Sequence, residues 1–524
     1  MPTIITEGVQ FPSGSDGKRS TIAGGVAVWA AAARAVSAPL ADEMARSKPT
    51  WRQAYPQLIT RLVEEQAYST ERAIAVAEAG LAALHSSFEF VRDGNVMPLD
   101  AAMCAPSSAR GLHTGTVTGA GEVATSFAVP YFGDTLSGDA FATQVMAWAE
   151  YGALEPAGAR ALCEVSRRPE WLDLRGRTFV LLGATAELGP LHFLLRCGAT
   201  VVAIARGSPA KWKEMILQAQ TTPGSLVFPL SKATDGSVTG LSAAAGADLL
   251  TDTPEICAWL AALLPTLPSP ATIGTYTYLD GELNVRISVA CDAICARLAV
   301  PGGPATALAF VQTPSQAFVV PGEAIGASDA AYTASRLRYL GYPKNSRTAV
   351  PTASGEPRFV HDGFVTVQGP NYALAKAVNL WRAVLARSRD GLLVSSNVAP
   401  ACRTASMQQG NKNARLVAAA LAGMGNFSPM LVFDAATVSA VMAALLVHDV
   451  RNPDAPSAPA SPLTHPWDLF SCQSFHGGSF RVAVKPQALG RLFGISGFLW
   501  PSDPRPVLVS AGARARTSNG GVMA

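Results

Sequence analysis

Residues 178–206 read TFVLLGATAELGPLHFLLRCGATVVAIAR, and this stretch decides the fold. Thr178 to Leu182 is a short run of mostly apolar side chains without polar alternation, the pattern of a parallel strand covered on both faces. Gly183 to Gly189 interrupts it with small residues. Leu188 to Cys197 then has helical character, and Thr200 to Ala205 is a second buried strand. Strand, glycine-containing turn, helix and strand within about 30 residues make a βαβ unit.

Outward from this unit the same alternation continues. Further strands are expected at Ala247–Leu250, Ile273–Leu279, Thr306–Gln312, Leu392–Ser396 and Met430–Phe433, most of them separated by helical patterns. The expectation is an α/β chain with a doubly wound, Rossmann-type parallel sheet over residues 173–451. Towards the N-terminus, Ala23–Arg46, Trp51–Gln66 and Thr70–Ser87 carry apolar residues at helical spacing, with Ser69 and Thr70 ahead of Glu71 as an N-cap signal. A Gly/Thr-rich stretch from Gly111 to Gly121 interrupts them, and helices resume at Gly138–Tyr151 and Pro156–Ser166. Residues 1–22 read as a loose arm and 1–172 as an additional α-helical N-terminal domain. Asn452–Pro466, dense in Pro, Ala and Ser, reads as a linker, so 452–524 is expected to be a linker and C-terminal extension.

Composition narrows the function classes. The 524 residues are 49% hydrophobic and 15% charged, a core-rich globular balance. A net charge of +3, with no basic run or aromatic-basic stripe, is too small to argue for nucleic acid or an anionic membrane as a partner. No signal peptide or apolar run long enough to cross a bilayer is present, so a cytoplasmic protein without a membrane span is expected. The eight cysteines include no C-x-x-C pair, and the seven histidines show no ligand spacing, so no metal is expected.

The turn after the first buried strand is Gly183-Ala184-Thr185-Ala186-Glu187-Leu188-Gly189. Small residues are required where a backbone approaches a pyrophosphate and hands it to a helix N-terminus. Gly183 permits the tight turn, and Gly189 permits close packing of helix on strand. The second strand ends at Arg206, where NAD-preferring domains place an acidic residue. A guanidinium suits a 2′-phosphate instead, so NADP is the expected cofactor.

Asn371-Tyr372-Ala373-Leu374-Ala375-Lys376 opens a helix ahead of the strand at Leu392–Ser396. Four residues apart, Tyr372 and Lys376 project from one helix face, and an ammonium there favours the phenolate. Phe310-Val311-Gln312-Thr313-Pro314-Ser315 ends a buried strand with hydroxyls, and Asn397-Val398-Ala399-Pro400-Ala401-Cys402-Arg403-Thr404 follows the next strand. Together these segments, with the glycine turn, make residues 173–450 resemble the short-chain dehydrogenase/reductase family. The resemblance implies Tyr372 as the catalytic acid/base, Lys376 as its electrostatic support and a holder of the nicotinamide ribose, and Ser315 or Thr313 as the group that polarises a substrate carbonyl. It implies cofactor contacts from Gly183, Thr185, Leu188, Gly189, Arg206 and Asn397.

The chain also departs from the family's pattern. Ala186 stands where a middle glycine is usual, and Glu187 brings a carboxylate to the phosphate end. Tyr278-Leu279-Asp280-Gly281 replaces the family's Asn-Ala-Gly, and residues 316–370 are an insertion. Two readings follow. One is an NADP-dependent oxidoreductase acting on a carbonyl or secondary alcohol, a small-molecule substrate. The other is a catalytically inactive Rossmann protein with a nucleotide-sensing or structural assembly role. The N-terminal helices offer a surface for a homo-oligomer or protein partner under either.

Overall fold

The computed structural model describes residues 7–345, 349–405 and 414–502. Seven strands form its central sheet: β1 (His113–Thr118), β2 (Thr178–Leu182), β3 (Thr200–Ile204), β4 (Ser225–Leu230), β5 (Ala271–Thr275), β6 (Ala307–Gln312) and β7 (Leu393–Val398). Their order across the sheet is β7-β6-β5-β2-β3-β4-β1. Six strands run parallel, and β1 closes one edge antiparallel to β4. Counted from β2, the parallel strands follow the doubly wound order 3-2-1-4-5-6, so the winding reverses between β2 and β5.

The helices that matter below are α1 (Thr21–Arg34), α2 (Trp51–Ala67), α3 (Thr70–Ser87), α4 (Leu191–Arg196), α5 (Glu282–Leu298), α6 (Gly369–Ser388), α7 (Ala414–Met424), α8 (Ala435–Arg451) and α9 (Pro486–Leu499). Every residue of β2 is buried because helices cover both faces of the sheet. Alternation then sorts its side chains: Val180 and Leu182 enter one core with α5 and α6, and Phe179 and Leu181 enter the other with α8. Ser69 caps α3 as its sequence signals, its hydroxyl accepting the Arg72 N–H at 3.3 Å.

Several expected elements differ. Ala247–Leu250 is loop and turn rather than strand, and of the expected strand at Met430–Phe433 only Phe433 pairs, forming with Asp434 a two-residue ladder with Cys402–Arg403. The Gly/Thr-rich stretch supplies β1, and within the supposed arm Gly8–Gln10 pairs with Glu89–Arg92. The apolar core also crosses residue 172. Trp29, Leu62 and Leu84 of the N-terminal helices share one buried cluster with Val180, Ile273 and Trp381. Beyond residue 451, Trp467, Phe470, Phe475 and Phe480 are buried in the same body.

Candidate functional site

The C-terminal ends of β6 and β7 lie level, Gln312 facing Val398 in register. Immediately after β6 the chain turns through Thr313-Pro314-Ser315, and α6 enters beside it with Tyr372 in its first turn. The Tyr372 hydroxyl lies 3.0 Å from Thr313 Oγ1, which lies 3.1 Å from Ser315 Oγ. Three hydroxyls therefore converge, with Thr313 in the middle. Burial raises the Tyr372 phenol above its usual range, against the hydroxyls of Thr313 and Ser315 and the Gln368 side chain, which pull it down.

One helical turn on, Lys376 donates to the Val311 carbonyl at 3.2 Å, its ammonium 5.9 Å from the centre of the Tyr372 ring. Burial alone pushes it down to about 8. The Tyr278 ring meets Tyr372 edge-on at 6.2 Å, and its hydroxyl is held by Asp280 at 3.0 Å. Residues 278–281, which replace the expected Asn-Ala-Gly, thus bring an aromatic wall to the tyrosine.

The glycine turn sits at the reversal of the winding, where open α/β sheets bind ligands. Gly183 has φ +92°, and a Cβ there would lie 2.9 Å from Thr277 Cγ2 after β5, so the position requires glycine. Two loop N–H groups close internal turns, Ala186 to Gly183 O and Gly189 to Ala186 O. Those of Thr185, Glu187 and Leu188 have no protein acceptor among the described residues. Free backbone donors around a small-residue turn are a donor set of the kind that holds phosphate oxygens. The Glu187 carboxylate accepts the Ala405 N–H at 2.8 Å, which ties the loop to the segment after β7. A dinucleotide phosphate fits these donors, while the Glu187 carboxylate beside them is a like charge that works against it.

Arg206 is exposed just beyond β3 and makes no ion pair among the described residues, while its carbonyl accepts Trp212 Nε1 at 3.1 Å. Asn397 is otherwise engaged. Its amide donates to Asp449 Oδ2 at 2.7 Å, and Ser395 Oγ donates to the same oxygen at 2.7 Å, so α8 holds the end of β7. Between them, Leu188, Pro190, Tyr276, Val311, Ser395 and Asn397 line a cavity of about 10 Å³, room for roughly one water. The structure therefore brings Ser315, Tyr372 and Lys376 together, puts Gly183, Thr185, Leu188 and Gly189 on one loop, and leaves Arg206 out at the strand end. Asp449 and Gln368 escaped the sequence reading, because neither belongs to a recognisable spacing.

No family model and no curated protein matches the chain. Among solved structures, a short-chain dehydrogenase/reductase from Serratia marcescens BCRC 10948 superposes with a TM-score of 0.31 at 13% identity, covering 59% of this chain and 99% of that one. The reductase domain of a nonribosomal peptide synthetase from Mycobacterium tuberculosis superposes with a TM-score of 0.28 at 15% identity, covering 63% and 72%. Overlap this loose carries no argument about residues or chemistry. No helix among the described residues is long and apolar enough to cross a membrane, and no group of metal-ligating side chains occurs among them.

Proposed function

We propose that the chain is an NADP-dependent oxidoreductase of the short-chain dehydrogenase/reductase type, acting on a carbonyl or secondary alcohol. The observation that carries this reading is the run of hydroxyls from Tyr372 through Thr313 to Ser315, one helical turn from Lys376. It lies at the C-terminal ends of a doubly wound sheet, beside the winding reversal. The nicotinamide would supply or accept the hydride there, and the side chains manage the proton. Burial keeps the Tyr372 phenol protonated, the state required of an acid during carbonyl reduction. Its proton passes to the carbonyl oxygen as that oxygen gains charge, and the Lys376 ammonium favours the phenolate left behind. Thr313 orients the phenol, and Ser315 is the hydroxyl available to polarise the carbonyl. Gly183, Thr185, Leu188 and Gly189 would cradle the pyrophosphate, Arg206 the 2′-phosphate, and Asn397 would stiffen the nicotinamide end through Asp449.

A second reading, an inactive Rossmann protein with a nucleotide-sensing or assembly role, draws on the small cavity beside Asn397. Turnover of a carbonyl substrate with NADPH that is lost in Tyr372→Phe separates the two, and titration of the intrinsic tryptophan fluorescence with NADPH and NADH tests the nucleotide site and its preference. The expected outcome is saturable binding with NADPH preferred, and a weaker preference in Arg206→Ala. Equal or tighter NADH binding removes the NADP assignment, and failure of both removes the nucleotide site.

A further inference from the structure

Three segments that pack around one small apolar cluster, residues 336–345, 414–432 and 484–502, bear an unusual share of the exposed large apolar side chains. Tyr339, Leu340, Leu416, Ile495, Phe498, Leu499 and Trp500 are each more than half exposed. On α9 they are arranged: Arg491, Ile495, Phe498 and Leu499 recur at four, three and one residues, so they form one solvent-facing stripe that ends in Trp500. The opposite face is fixed to α7 by small residues, since a Cβ on Gly497 would meet the Ala419 carbonyl oxygen at 1.7 Å. The stripe is therefore a rigid outer surface rather than a helix awaiting the core.

Charge on these segments has one sign. They contain Arg336, Arg338, Lys344, Arg415, Lys485 and Arg491 and no Asp or Glu. Lys344 is neutralised by Asp329 and Lys485 by Asp362, whereas Arg336, Arg338, Arg415 and Arg491 have no carboxylate partner among the described residues. The nearby carboxylates Glu323 and Asp329 lie on the preceding helix, Gly322–Ala334. Of the four arginines, Arg491 lies on the α9 stripe itself, and Arg415 adjoins Leu416, whose Cδ1 faces Gly494 of the same helix.

We propose that this face docks on an anionic lipid bilayer surface, with Ile495, Phe498, Leu499 and Trp500 entering the interfacial layer and the arginines meeting the headgroups. An amphipathic helix with Trp, Phe and Leu on one side and flanking cations has the chemistry of an interfacial anchor. The cations explain why an anionic bilayer rather than a second copy is the partner, because a second copy would bring its own unpaired Arg415 and Arg491 to the contact. This inference does not depend on the reading of the nucleotide site.

Co-sedimentation of the full chain with phosphatidylcholine vesicles, with and without phosphatidylglycerol, tests it. The expected result is uptake by the anionic vesicles only, falling with salt, with a blue shift of tryptophan emission that is lost in Trp500→Ser. Phe498→Ser should reduce uptake severalfold, and Arg491→Glu about fivefold or more, since one basic residue near such a surface is worth about that factor. Both positions are exposed, and an unchanged melting temperature verifies folding. Equal uptake by neutral and anionic vesicles, no uptake by either, or a dimer in solution that Phe498→Ser converts to monomer would each overturn the proposal.

Discussion

At the scale of single residues, the Tyr372–Lys376 spacing was legible, because four residues on a helix put two side chains on one face whatever surrounds them. The order of the hydroxyls was not. Ser315 and Thr313 are equivalent on paper, yet Thr313 Oγ1 is the one that lies 3.0 Å from the phenol oxygen. Asn397 shows the same limit: its amide is spoken for by Asp449, a residue on another element that no local pattern connects to it. If the proposed chemistry holds, Tyr372→Phe removes the proton donor while keeping the ring. Turnover of a carbonyl substrate should fall ~10²–10⁴-fold, the usual worth of general acid catalysis, with NADPH affinity nearly unchanged. Steady-state kinetics with a fluorescence titration check both. Lys376 adds a pH signature. Its ammonium is charged below about 8 and neutral above, and reduction needs the charge, so the rate should decline as pH rises through that value. A profile still flat at pH 9 would separate Lys376 from the acid step, and Lys376→Met should remove this limb along with most of the activity.

At the scale of elements, β2 and β3 were readable because burial on both faces makes a strand a continuous apolar run. The edge strand β1 was not. Its sequence, His113 to Thr118, is polar apart from Val117 and contains Gly115, which reads as a break between helices. Gly115 is there because the Phe228 ring of β4 lies across it, and a Cβ would come within 2.6 Å of that ring. Only the partner strand reveals why the glycine belongs in a ladder. Gly80 in α3 presents the same logic between helices. A Cβ would meet the Trp381 ring of α6 at 2.6 Å, so α3 and α6 approach closely through a missing side chain. Gly80→Ala gains helix propensity, about 1 kcal/mol, but overpacking of a core contact costs ~1–3 kcal/mol. The ring is large and held edge-on by Trp29 at 5.1 Å, which leaves it little room to move. Urea unfolding should therefore show a net loss of stability. A variant more stable than the parent would mean that the Trp381 ring yields freely.

At the scale of the whole molecule, the change of period near residue 172 suggested a division because a pattern reports local geometry and not what each face packs against. A buried ionic cluster ties the N-terminal layer to the sheet layer. Arg382 of α6 makes a two-pronged pair with Asp292 of α5, at 2.7 and 2.9 Å, and His85 of α3 reaches the same carboxylate at 2.7 Å. Burial alone would raise the Asp292 carboxyl, but the charge and hydrogen bonds of Arg382 and His85 overcome it and hold it well below the usual range. For His85, burial works to lower the imidazole, and the Asp292 hydrogen bond and charge reverse this and raise it. A raised folded-state value means that the folded chain binds the proton more tightly than the unfolded one. The contribution is full below the unfolded value of about 6.5 and is lost as pH rises through the raised value. Asp292→Asn keeps the shape and removes the charge, leaving Arg382 buried without a counter-ion. Breaking one partner of such a pair costs ~3–5 kcal/mol, a large part of the total stability of a typical domain. Denaturant unfolding near pH 6 should show that loss, and the parent's decline in stability above neutral pH should flatten in the variant. A loss under about 1 kcal/mol would mean that water reaches Arg382, and the joint between the two layers would then rest on apolar contacts such as Gly80 against Trp381.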